Sequence, residues 1–97
     1  MSNLPKISTY GQYSNQNYGM HCLCVTIGPV TLYYSYSTLV SFSVPGYSCV
    51  RENIWKTTTG RHLNCIDGGG QNKKKRLSLE EFERAYQKYV VEQYNLV

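Results

Sequence analysis

Between His21 and Trp55 apolar and polar residues alternate in short runs, each ended by a turn signal, and that two-residue period marks β-strands. His21, Leu23, Val25 and Ile27 alternate with Cys22, Cys24 and Thr26 before Gly28-Pro29 turns the chain. Val30, Leu32, Tyr34 and Tyr36 then alternate with Thr31, Tyr33 and Ser35, a run of β-branched and aromatic residues. Ser37-Thr38 is the next expected bend. Val40, Phe42 and Val44 follow, with Ser41 and Ser43 between them, until Pro45-Gly46. Tyr47 to Trp55 supplies the last strand, with Cys49 on one face and Val50 on the other. Short connections join antiparallel neighbours, so the expectation is an antiparallel meander of about four strands.

The rest of the chain reads as helix and loop. Ser78 and Glu81 form an S-x-x-E capping box, flanked by Leu77 and Phe82 at the positions of a hydrophobic staple. From Ser78 onward Leu79, Phe82, Tyr86, Tyr89, Val90 and Tyr94 share one face, and Glu80, Arg84, Lys88 and Glu92 take the other. That apolar face is expected to lie on the sheet. Thr57 to Asp67 reads as a short helix, with threonines at its start, Leu63 and Ile66 three apart, and Gly68 placed to end it. Residues 68–76, GGGQNKKKR, are expected to form a flexible basic loop, because three glycines inside an element cost backbone entropy. Residues 1–19, rich in Tyr, Ser, Asn, Gln and Gly, are expected to form an irregular arm or a loose first strand. The fold class is α+β, a meander covered by a C-terminal helix with a short helix between. Residues 1–97 make one domain, since either half alone would bury too little apolar surface.

Composition adds further constraints. Ten tyrosines against two phenylalanines and one tryptophan mean that much of the aromatic surface carries a hydroxyl needing a partner or water. The opening MSNLPKISTYGQYSNQNYG lacks the apolar run of a signal peptide, and no stretch reaches the roughly 20 apolar residues of a membrane span. A cytoplasmic protein without a membrane partner is the expectation. Cys22, Cys24, Cys49 and Cys65 are then reduced, and a disulfide such as Cys24 to Cys49 would require an oxidising or hyperthermophilic setting. The net charge of +4 comes largely from one block, Lys73, Lys74, Lys75 and Arg76.

Four kinds of chemistry compete for the polar residues. Zinc is raised by His21, Cys22, Cys24, Cys49, His62 and Cys65, but C-x-C replaces the usual knuckle and no second knuckle follows. No metal and no cofactor are expected. Catalysis by His62, beside Arg61 and near Asp67, lacks a second group fixed opposite it; a histidine bracing a short helix is the plainer reading. Anion binding asks less. Thr57, Thr58, Thr59 and Gly60 entering a helix N-terminus, with Arg61 and His62 beside them, suit a phosphate or carboxylate, while the same threonines equally serve as a simple cap and Arg61 could pair with Glu52. Lys73, Lys74, Lys75 and Arg76, together with the rings of Tyr18 and Trp55, form the mix of charge and stacking surface that grips single-stranded nucleic acid; a solvated loop is the alternative.

A resemblance covers most of the chain. Y-G-Q-Y-S (10–14), N-Y-G-M-H (17–21), L-Y-Y-S-Y-S-T-L-V-S-F (32–42), R-E-N-I-W (51–55), T-T-G-R-H-L-N (58–64), I-D-G-G (66–69) and E-F-E-R (81–84) resemble a small uncharacterised domain of phage, plasmid and other mobile-element sequences. The cysteines are not part of that pattern. The resemblance implies an accessory protein of a virus or mobile element, made in the host cytoplasm and not an enzyme. The functional expectation is therefore a non-enzymatic binding module that contacts a host or viral macromolecule, possible ends including the blunting of a host defence. Two alternatives stand beside it: a nucleic-acid binder using residues 57–62 and 73–76, and a small hydrolase or nuclease using His62. An exposed Ser/Tyr sheet edge also leaves a homodimer open.

Overall fold

The computed structural model describes residues 5–9, 22–53 and 57–95, with the side chains of Thr9 and of residues 57–61 outside that description. Five strands run β1 (Lys6–Thr9), β2 (Leu23–Ile27), β3 (Val30–Ser35), β4 (Thr38–Val44) and β5 (Tyr47–Val50). They pair antiparallel in sequence order, β1-β2-β3-β4-β5. The meander is as expected, with five strands instead of four. The added strand, β1, lies in the polar arm and pairs Ile7 with Val25.

The register sorts side chains onto two faces. Ile7, Val25, Leu32, Phe42 and Cys49 stand in one cross-strand row, and Val30 and Val44 extend the same face. Ser8, Cys24, Tyr33, Ser41 and Val50 form a row on the opposite face, beside a second row of Lys6, Thr26, Thr31, Ser43 and Ser48. One face is apolar and the other is dominated by hydroxyls. Cys24 and Cys49 therefore point to opposite sides of the sheet, which rules out the disulfide between them; all four cysteines are thiols.

Helix α1 (Thr57–Asp67) precedes a 3₁₀ helix (Gly70–Lys75), and α2 (Leu79–Tyr86) follows and continues through a π-helical segment (Gln87–Val91) to Tyr94. The Ser78 hydroxyl accepts from the Glu81 N–H at 3.3 Å, and the Ser78 N–H donates to Glu81 Oε1 at 3.0 Å, so the capping box forms as read. Phe82 and Val90 are buried with Val30, Leu32, Phe42, Val44 and Cys49 in one core, and Tyr86, Tyr89 and Tyr94 pack at its margin. The π segment rotates the later turns, which fits Tyr89 stacking on Tyr47 at 4.0 Å between ring centroids. Leu79 departs from the expected face: it remains 44% exposed in the first turn.

The hydroxyl face has its own cover. Ile66 and Asp67 of α1 line a recess against Tyr33, Ser41, Ser43, Ser48 and Val50, while Cys22, Val40 and Leu63 are fully buried outside the main core. The sheet thus lies between α1 on one face and α2 on the other. A bulge in β4 makes this possible: Tyr33 pairs with Ser41 but Tyr34 with Leu39, leaving Val40 as the extra residue. Leu39 joins the main core and Val40 does not, which reverses the expected alternation at that end of the strand. Tyr36 is in the turn rather than in β3, with φ of 57°, and its ring lies 5.9 Å from that of His62.

Candidate binding groove

The expected site residues are divided by the fold. Thr57, Thr58, Thr59, Gly60 and Arg61 lie within the first turns of α1, and their side chains, like all of Trp55 and Tyr18, fall outside the described residues. His62 is fully buried, with Nδ1 2.7 Å from the Ser35 hydroxyl, so it is not part of an exposed anion site. It braces α1 against the end of β3. Accordingly, His62→Ala should cost about 1–2 kcal/mol by deleting a buried partner of Ser35, read as a lower urea midpoint with an unchanged slope. Unchanged stability would return His62 to the functional candidates.

Lys73, Lys74 and Lys75 are exposed on the last turns of the 3₁₀ helix. The basic segment thus forms a 3₁₀ helix over Gly70–Lys75, within the glycine-rich stretch 68–76 expected to be a flexible loop. Those glycines act just before it: Gly68, φ 84°, ends α1, and Gly69, φ 65°, sits where a Cβ would come within 2.9 Å of Asn64 Oδ1.

Arg76 differs from its three neighbours, and the expectation that it belongs to an exposed basic run is corrected. Its Nε donates to Asp67 Oδ2 at 2.7 Å and its Nη2 to Asp67 Oδ1 at 2.9 Å, with the side chain only 5% exposed. Nη2 also donates to Asn64 Oδ1 at 3.1 Å, and Asp67 Oδ1 accepts from the Gly69 N–H at 2.8 Å. Burial alone would raise the Asp67 pKa, but the Arg76 hydrogen bonds, the Gly69 amide and the guanidinium charge hold the carboxyl below its ordinary value. The pair also fixes the chain that follows. Leu77 forms a parallel bridge with Arg51, its N–H donating to Val50 O at 2.8 Å and its carbonyl accepting from the Glu52 N–H at 2.7 Å.

That bridge fills only one end of the β5 edge. Val50 O faces outward to reach Leu77, and alternate residues of a strand share a side, so the Ser48 N–H and C=O also face outward. Beside them runs a groove of about 390 Å³. Residues 47–50 of β5 form one wall; Asn72, Lys75 and the Asp67–Arg76 pair form the other; Leu77 closes one end. The recess under α1, about 230 Å³, shares Ser48, Val50 and Asp67 with it. Sequence reading missed the groove, because Ser48, Asn72 and Leu77 converge only through the fold. The one available signal was the exposed Ser/Tyr edge. Cys49 borders the groove as an unreactive thiol, pushed up to about 11 by burial against the lowering effect of its Tyr47 hydrogen bond.

An antiparallel meander with a helix on each face and a lysine-flanked groove along one edge places the molecule among α+β domains. The chain belongs to a family of unknown function, DUF8033, which matches residues 6–84, from β1 into α2. No curated protein and no solved structure gives a significant match. Among the described residues no helix is long and apolar enough to cross a membrane.

Proposed function

We propose that this domain is a non-enzymatic binding module of viral or mobile-element origin, working in the host cytoplasm by contact with a host or viral protein. The observation that carries the reading is the β5 edge groove: outward backbone groups lie beside Lys75, the last of three exposed lysines on a short, well-anchored helix. Sheet edges that are left open invite pairing with another chain, and flanking lysines guard against indiscriminate pairing while favouring an acidic partner. The resemblance to mobile-element domains supports the origin, and a role in blunting a host defence is one use of such a contact.

Tagged full-length chain, used as bait in nuclease-treated host lysate, should retain a protein partner in near-stoichiometric amount. The triple change of Lys73, Lys74 and Lys75 to alanine should weaken retention several-fold and flatten its dependence on salt, since rim charges act largely on encounter. Loss of every partner on nuclease treatment would overturn the reading. Nucleic acid would then be the ligand, and the same triple variant should lower the salt slope of an electrophoretic shift by up to about three.

A further inference from the structure

Resting on that reading, we infer that the β5 groove receives the free C-terminal end of an extended partner peptide. The occupant adds as a short parallel strand beside Tyr47–Cys49, and its terminal carboxylate is held by Lys75 and Arg76.

Three features of the groove select this occupant. First, its wall is a strand edge with the Ser48 N–H and C=O directed into it, so the natural complement is another extended backbone. Second, the edge is blocked where Leu77 already pairs with Arg51. A chain running through would collide there. The open stretch, residues 47–49, spans about 10 Å at roughly 3.3 Å per residue, room for about three residues and then an end. Third, charge decides which end. Arg76 is held rigidly by Asp67 through Nε and Nη2, and its remaining nitrogen, Nη1, bonds to no described residue. Lys75 lines the same wall. Asp67 and Arg76 cancel in charge within their ion pair, so Lys75 leaves the groove lining net cationic. An incoming ammonium would be repelled and a carboxylate attracted.

Polarity follows from the same geometry. Leu77 bridges β5 in parallel, so the chain just before it would, if extended, occupy this groove; instead it coils as the 3₁₀ helix Gly70–Lys75. A peptide entering from the Tyr47 end and stopping at Leu77 takes that vacated row in the same direction, with its carboxylate beside Arg76. Glu52 lies past Leu77, its N–H bonded to the Leu77 carbonyl, and so borders the far side of the block.

The test uses the full chain and a random-sequence hexapeptide library with free C-terminal carboxylates, compared with the same library amidated. Selected peptides should bind with at least tenfold loss on amidation, the size expected for losing a charge-assisted hydrogen bond. Lys75→Glu should cause a similar loss. Ser48→Pro removes the outward-facing N–H of an edge strand, together with the Ser48 hydroxyl, at a position where proline is tolerated, and should reduce binding about tenfold with the melting temperature nearly unchanged. No enrichment from the free-carboxylate library, equal binding of the amidated peptides, or undiminished binding by Ser48→Pro would each overturn the inference. A lysate partner that Ser48→Pro still holds would overturn the groove assignment while leaving the binding module standing. A nuclease-sensitive catch would instead remove the protein-binding reading itself.

Discussion

Phe42→Ala should cost about 3–5 kcal/mol, the range for deleting a buried aromatic ring, and lower the melting temperature by on the order of 20 °C. Phe42 is fully buried at the middle of the apolar row. Its ring centroid lies 5.5 Å from that of Phe82, 5.6 Å from Tyr86 and 5.9 Å from Tyr47, so one side chain joins β4, β5 and α2. Tilted and edge-on pairs of this kind add to area burial. A domain of this size holds roughly 5–15 kcal/mol in all, so the variant should lie near the limit of folding. Phe42→Leu, which retains much of the volume, should cost roughly 1–2 kcal/mol. Urea unfolding followed by circular dichroism checks both; a loss under about 1 kcal/mol for the alanine variant would mean that Phe42 does not carry this core.

Phe42 was also plain in the sequence. Its place in an alternating run between turn signals identifies a core-facing strand residue without any partner being known. The same holds for the capping box at Ser78 and for Gly68 at the end of α1, where local chemistry sets local structure. A loose first strand was one of two readings of residues 1–19, but its place at β1 was not legible, because KIST is short and its described side chains, Ile7 included, are exposed, so burial imposed little pattern on it. The Val40 bulge likewise has no local signature; it answers to packing on two faces at once. His62 was read two ways, as a brace for a short helix and as part of an exposed anion site. The Ser35 hydroxyl lets it be fully buried, which fits the first and not the second. The groove was the least legible part. It depends on Leu77 reaching β5 and on Arg76 reaching nine residues back to Asp67, and neither contact follows from spacing alone.

Arg76→Ala follows from that last contact and should cost about 2–3 kcal/mol, somewhat less than breaking a wholly buried pair because the Asp67 side chain keeps 13% exposure. The loss has two parts. The Asp67 carboxylate is left largely desolvated with the Gly69 N–H, and the link between the end of α1 and the chain entering the Leu77 bridge is released. Arg76→Lys should recover only part of it, since an ammonium cannot reproduce the two-pronged contact of Nε and Nη2. The pH dependence distinguishes the charge from simple packing. Because the folded pKa of Asp67 is depressed, its contribution is fully present above the unfolded carboxylate value of about 4 and is lost as pH falls through the lower folded value. The stability gap between the native chain and Arg76→Ala should therefore be widest near neutral pH and shrink on acidification below about pH 4. A gap that stays constant down to pH 2 would assign Arg76 a packing role instead. Either way Arg76 supports the wall of the groove as well as facing into it, so Lys75 and Ser48 remain the positions at which binding can be separated from stability.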